Sequence, residues 1–250
     1  FDYHRPSDLN GVISLLQEHG DDARVIAGGH SLIPLMKLRM AEVPHLIDLQ
    51  SISELTGIES GSIIRIGAMT TQADIIDNAS LASSAPILKE ASLQIADPQV
   101  RYMGTVGGNV ANGDPGNDMP GLMQCLDATF ILRGPNGERE VKARDFYHAA
   151  YMTEREDDEV MVAVTFDAPK GGSAYEKQKR KIGDYATAAA AVIISKDGST
   201  CKEASIAMTN LSDTPVFCSA ASDCLIGTSV SAEDIKNAVS SMIDAIDPAE

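Results

Sequence analysis

Val25-Ile26-Ala27-Gly28-Gly29-His30-Ser31-Leu32 carries more structural information than any other stretch of this 250-residue chain. Val25 to Ala27 is a short apolar strand, two glycines follow it, and Leu32 to Met40 has the mixed apolar spacing of a short helix. On the N-terminal side, Ser7 is positioned to cap a helix whose Leu9, Val12, Ile13 and Leu16 share one face, with Gly20 ending it. On the C-terminal side, Val43 to Leu49 reads as a second strand. Strand, glycine turn, helix and strand together predict a βαβ-like unit.

A second block starts near Ile52. Ile63 to Ala68 alternates apolar and polar residues as a strand does, and Thr70 or Thr71 caps a helix carrying Ala73, Ile75 and Ile76. Another helix is expected from Ile87 to Ala96, stopped by Asp97-Pro98. A glycine-rich loop is read from Gly104 to Gly121, then a hydrophobic segment from Leu122 to Leu132. Gly134-Pro135-Asn136-Gly137 marks a hairpin turn, and Val160 to Phe166 is a strand. From Ser173 the pattern becomes that of an antiparallel sheet, with strands at Tyr175 to Arg180, Ala188 to Ser195 and Ser205 to Asn210. Helices close the chain at Ser219 to Leu225 and Ala232 to Ile246, the latter capped by Ser231 with Asp234 at its third position. The fold class is α+β, divided at 1–52, 53–170 and 171–250.

Composition narrows the function. With 20 Lys and Arg against 36 Asp and Glu, the formal net charge is −16. Nucleic-acid binding depends on clustered cations, and the densest group here is Lys177, Lys179, Arg180 and Lys181. Nucleic acid is therefore not an expected partner. The longest apolar runs fall well short of a membrane span, and Phe1 to Pro6 lacks the pattern of a signal peptide. Cys125, Cys201, Cys218 and Cys224 form no C-x-x-C pair, so no zinc ribbon or iron–sulfur spacing exists. They read as four buried thiols in a reducing cytoplasm.

Two segments carry the chemistry. One is Ala27-Gly28-Gly29-His30-Ser31; the other is Thr105-Val106-Gly107-Gly108-Asn109, running on through Asn112 and Asp114 to Asn117-Asp118. Glycine lets successive backbone N–H groups converge on an anion with no Cβ in the way. Paired diglycine loops suit a pyrophosphate, with Ser31, Thr105, Asn109 and Asn112 as further donors. Neither loop is G-x-G-x-x-G or G-K-[ST], so the familiar dinucleotide and Walker signatures are missing.

The runs Ala27 to Pro34 and Thr105 to Asn109 resemble the two FAD-binding signatures of the molybdenum hydroxylase flavoprotein. That is the medium subunit of carbon monoxide dehydrogenase-type enzymes, similar to the flavin domain of xanthine dehydrogenase. Ile95 to Arg101, Lys181 to Ala186 and the opening Phe1 to Pro6 also resemble this family, so the likeness covers nearly the whole chain. The resemblance implies two small α/β FAD-binding subdomains followed by an antiparallel sheet with helices. It implies that Val25, Ile26, Ala27, Gly28, Gly29, His30, Ser31 and Leu32 wrap the FAD pyrophosphate. Thr105, Gly108, Asn109 and Asn112 would complete that site, and Asp118 would accept hydrogen bonds from the ribose or adenine side. Ile95 would pack on the cofactor, Tyr185 and Lys177 would lie near the flavin ring, and Met161 would make a contact through its strand backbone.

The family implies an electron relay. Hydroxylation takes place on a molybdopterin large subunit, electrons cross two [2Fe–2S] clusters on a small subunit, and this chain's FAD passes them to an external acceptor. A dimer of heterotrimers is the implied assembly. No residue of the chain itself is expected to be catalytic. A stand-alone flavin oxidoreductase of the vanillyl-alcohol-oxidase type and a non-enzymatic assembly protein are the alternatives. His4, His19, His45 and His148 read as scattered surface or packing residues, and Glu154, Glu156, Asp157, Asp158 and Glu159 as a solvated acidic loop. Asp114, Asn117 and Asp118 lack the ligand ladder of a calcium loop, so no metal is expected.

Overall fold

A computed structural model describes residues 1–248. The N-terminal unit contains β1 (Asp2–His4), α1 (Leu9–His19), β2 (Ala23–Ile26), α2 (Leu32–Lys37) and β3 (His45–Asp48). Its three strands are parallel in the order β1-β3-β2, so the final strand is central and Asp2–His4 adds an edge that was not expected. Leu9, Val12, Ile13 and Leu16 are buried, as their spacing predicts. The α1 cap is Asp8 rather than Ser7: its carboxylate accepts from the Gly11 N–H at 2.9 Å. A carboxylate is a strong acceptor for the orphan N–H groups of a first turn.

The middle of the chain supplies β4 (Ile58–Glu59), β5 (Ile63–Gly67), α3 (Gln72–Asp77), α4 (Ala79–Ser84), α5 (Pro86–Gln94), α6 (Pro98–Met103), α7 (Val106–Ala111) and α8 (Asp118–Cys125). It continues with β6 (Thr129–Gly134), β7 (Gly137–Lys142), β8 (Tyr147–Ala149), β9 (Met152–Thr153) and β10 (Val160–Asp167). Five of these strands form an antiparallel sheet in the order β4-β5-β10-β6-β7. The expected glycine-rich loop from Gly104 to Gly121 is instead largely helical. Asp97 does not merely stop α5; it caps α6, and Thr105 caps α7. Every residue of α8 is buried, so packing supplies what its glycine and proline withhold in propensity.

The C-terminal part is an antiparallel sheet of β11 (Gly172–Gln178), β12 (Ala188–Asp197), β13 (Thr200–Thr209) and β14 (Val216–Phe217), in that order, with α9 (Ser219–Leu225) and α10 (Ala232–Ile243). The last helix ends at Ile243, short of the expected Ile246. Its Ser231–Asp234 capping box is formed in both directions. The main core runs from Ile64 through α5, α7 and α8 to Tyr175, Ala189 and Ala207, so the C-terminal sheet shares it. A second core joins α1 and β3 to Val160, Val162 and Ala163 of β10.

Two expectations are corrected here. Cys125, Cys201 and Cys218 are buried, but Cys224 is exposed on α9. Nor are the histidines all scattered: His4, His19 and His45 meet where β1, α1 and β3 converge.

Candidate functional site

The first loop is shaped by a close backbone approach. A Cβ on Gly28 would run into the carbonyl oxygen of Met103, at the end of α6. Gly29 has φ +75, in the left-handed region that glycine occupies without penalty. Among the described residues, the N–H groups of Gly28, Gly29, His30 and Ser31 donate to no protein acceptor. Ser31 precedes α2, and its side chain makes no capping bond. Four consecutive free donors at the end of a strand form an anion-binding concavity.

The second loop faces the first. Thr105 is bridged to Thr71, and its Oγ1 accepts from the Gly108 N–H at 3.1 Å. Gly107 lies so close to Ala68 that a Cβ there would stand 2.5 Å from the alanine methyl. One glycine of this pair thus serves helix-to-sheet contact, and the other serves the threonine cap. Asn109 holds the next turn. Its Oδ1 accepts from the Met119 N–H at 3.2 Å, and its carbonyl accepts from Asn117 Nδ2 at 2.9 Å.

A buried ion pair forms the far wall. Lys177 Nζ donates to Asp118 Oδ2 at 2.8 Å and to the Gln94 carbonyl at 3.3 Å. The Tyr175 hydroxyl donates to Asp118 Oδ1 at 2.5 Å. Burial, reinforced by that carboxylate, pushes the Tyr175 phenol well above its ordinary pKa. Both Asp118 oxygens are therefore already engaged by protein donors. Asp118 was expected to receive the ribose or adenine side, and it now also appears as the partner that neutralises Lys177. Nearby, half-exposed Tyr185 packs against Gly116, and burial followed by the Asp114 charge raises its phenol.

At the other end lies Arg155, whose pKa is lowered by burial. Its guanidinium donates to the carbonyls of Glu156 and Glu159. The acidic run around it is not simply a solvated loop, as the sequence suggested. Glu159 is buried and takes two hydrogen bonds from Arg139, at 2.6 and 2.8 Å, while Glu154 binds both Arg139 and His148. Burial alone would raise the Glu159 pKa, but Arg139 and the Glu156 N–H outweigh it and hold the carboxyl below 4.5.

These walls enclose one cavity of about 600 Å³, within the usual size of a small-molecule site (roughly 300–1,000 Å³). Every residue expected at the cofactor lines it: Val25 through Leu32, Ile95, Thr105, Gly108, Asn109, Asn112, Asp118, Met161, Lys177 and Tyr185. The β10 register slips between Met161 and Ala163, and the Val162 carbonyl accepts from the Ala68 N–H at this wall. Sequence reasoning missed Arg24, Ala68, Met69, Gln72, Asn117, Arg155, Asp157 and Asp184, which also line the cavity. Gln72 is buried there with its Oε1 accepting from Ser92 Oγ, and among the described residues its Nε2 has no partner. The Thr70-Thr71 cap signal lay beside Gln72, but nothing in the local sequence marked Arg24 or Arg155. Free backbone donors, flanking cations and apolar walls such as Ile95 and Met161 fit a ligand that joins an anionic group to apolar surface, as the FAD implied by the family resemblance does.

Residues 1–169 match the family described as FAD binding domain in molybdopterin dehydrogenase, and residues 173–250 match the CO dehydrogenase flavoprotein C-terminal domain. The chain is 53% identical to the carbon monoxide dehydrogenase medium chain of Afipia carboxidovorans, over 96% of this chain and 84% of that one. It is 33% identical to the glyceraldehyde dehydrogenase medium chain of Sulfolobus acidocaldarius, over 99% and 89%. Reconstituted CO dehydrogenase from Oligotropha carboxidovorans superposes with a TM-score of 0.98 at 52% identity, covering all of this chain and 88% of the other.

Proposed function

Because the chain belongs to the family of FAD-binding domains of the molybdopterin dehydrogenases, we propose that it is the electron-relay subunit of a molybdenum hydroxylase. It takes electrons from [2Fe–2S] clusters on a small subunit and hands them to an external acceptor. Substrate is hydroxylated on a molybdopterin large subunit, and the assembly is a dimer of heterotrimers. The chain is an oxidoreductase subunit, and its cofactor is FAD. Its cysteines lack cluster spacing, which supports the assignment of the iron–sulfur centres to a partner. No described helix is long and apolar enough to cross a membrane. We take the setting to be the cytoplasm, in keeping with four unpaired thiols.

The observation that carries this reading is the row of free N–H groups from Gly28 to Ser31 facing the Thr105–Asn112 segment across one cavity. Bound FAD supplies reversible uptake of one or two electrons. The chain supplies everything else. Gly28 to Ser31 donate to the diphosphate, with Asn112 as a further donor. Arg24 and Arg155 offset negative charge. Ile95 and Met161 exclude water, and Tyr185 borders the mouth. Residues 1–52 and 53–170 form the FAD-binding fold, and 171–250 complete its far wall through Lys177.

Among relatives, identity favours a complex of the carbon monoxide dehydrogenase type: 53% and 45% for two such medium chains, against 33% for the glyceraldehyde enzyme. The first test is a visible spectrum of the purified chain before and after FAD is added, with the released cofactor identified by mass. A flavin spectrum with FAD released is the expected result. A folded chain that takes up no FAD, alone or in the complex co-purified with its partners, overturns the reading. Bound FAD that bound iron–sulfur partners fail to reduce would overturn the relay alone.

A further inference from the structure

We propose that His4, His19 and His45 form a binding site for a divalent transition-metal ion that staples the N-terminal strand and helix α1 to the sheet. The three come from three elements: the end of β1, the last residue of α1 and the first residue of β3. All are half-buried, and one ring nitrogen of each lies within 4.8 Å of those of the other two. His4 Nε2 and His45 Nδ1 are 3.1 Å apart, and His19 stacks on His45 with ring centroids 3.7 Å apart and planes 7° from parallel. Parallel register sets Asp2 directly opposite His45, leaving its Oδ2 3.9 Å from His45 Nδ1. Three imidazoles therefore cluster here, with a carboxylate at their edge. None of the four lines the FAD cavity.

The donor set selects the cation. Imidazole nitrogen suits zinc, nickel and copper rather than magnesium or calcium. Zinc takes four ligands tetrahedrally at about 2.0–2.1 Å, which sets neighbouring nitrogens roughly 3.3 Å apart. The His4–His45 separation already has that value to within a few tenths of an ångström. Ring lone pairs lie in the ring plane, so two stacked rings do not aim at a common point. Binding therefore requires the His19 ring, half-buried on the last turn of α1, to swing out of its stack toward the pair. The competing reading is a purely packing cluster, with one N–H···N bond and one stack.

The test uses the full chain without an affinity tag, stripped with chelator and titrated with zinc chloride by calorimetry, with and without FAD. The expected result is one equivalent bound at micromolar affinity or tighter. Binding should weaken at least tenfold in His19→Gln and in His45→Gln and stay unchanged in Cys224→Ser. Melting temperature should rise by on the order of 5–10 °C at a hundredfold excess over Kd. Cobalt in place of zinc should give the intense visible bands of a tetrahedral site, and flavin occupancy should not change. Two results overturn the proposal: no stoichiometric zinc uptake by the folded wild-type chain, or uptake that both glutamine variants retain. The wild-type titration decides the matter even if a variant fails to fold.

Discussion

Lys177 and Asp118 form an ion pair with almost no solvent contact: their side chains are 1% and 6% exposed, and Nζ lies 2.8 Å from Oδ2. One partner opens helix α8, and the other comes from strand β11, 59 residues later. Desolvating two charges is costly, and only a close mutual approach with further hydrogen bonds offsets it. Tyr175 and the Gln94 carbonyl provide those bonds.

Replacing Lys177 by Met strands a buried carboxylate and should cost about 3–5 kcal/mol. The double variant with Asp118→Asn removes both charges and should recover most of that loss. Urea unfolding of the single and double variants measures the difference. Equal losses in the two would show that the side-chain volumes, not the charges, matter.

The glycines of the first loop should differ in cost. At Gly28 a methyl meets backbone, which has nowhere to go, so Gly28→Ala should cost about 1–3 kcal/mol or more and lower FAD occupancy with it. At Gly29 the methyl meets only flexible side-chain ends, those of Ile33 and Ile26, leaving chiefly the left-handed strain of about 1–2 kcal/mol. Thermal melts with flavin titrations test the order, and a milder Gly28→Ala would contradict it.

Acid should unfold the protein partly through Glu159. Its folded pKa lies below the ordinary 4.5, so its contribution is complete above about pH 4.5 and is lost as pH falls through the lower folded value. Glu159→Gln should be less stable at neutral pH and should show a shallower decline of stability below pH 4.5. Denaturant midpoints measured from pH 7 to pH 3 give both slopes; parallel curves would refute the assignment.

Thiol reactivity should follow exposure. Burial pushes the Cys125 thiol up to about 12 against the lowering influence of Ser205 and Arg144, and burial also raises Cys218. Only Cys224 should react promptly with a chromogenic disulfide at pH 8, and all four cysteines after denaturation. A second fast thiol in the native protein would count against this packing.

The strand-to-helix turn at Gly28-Gly29 was legible because its cause is local: an apolar run, two glycines and an apolar periodicity. The caps at Thr71 and Ser231 were legible for the same reason. Helices α6, α7 and α8 were hidden because Pro98, Gly107, Gly108, Pro120 and Gly121 all read as breakers; burial of α8 and the side-chain caps override them. The meeting of His4, His19 and His45 obeys no sequence period; it follows from the parallel register that pairs Asp2 with His45. Glu159 was misread because charge in a run looks solvated until β7 delivers Arg139 to it. Local chemistry writes turns and caps into a sequence, whereas partners far apart in the chain become visible only in the fold.

The shared far wall also sets an order of events during synthesis. When a ribosome has released residues up to 170, the diglycine cradle and Asp118 exist, but Tyr175 and Lys177 have not yet emerged. At that stage the Asp118 carboxylate lacks both of its side-chain donors. The far wall of the cavity is thus completed only by residues that follow Asp118 in the chain by 57 and 59 positions.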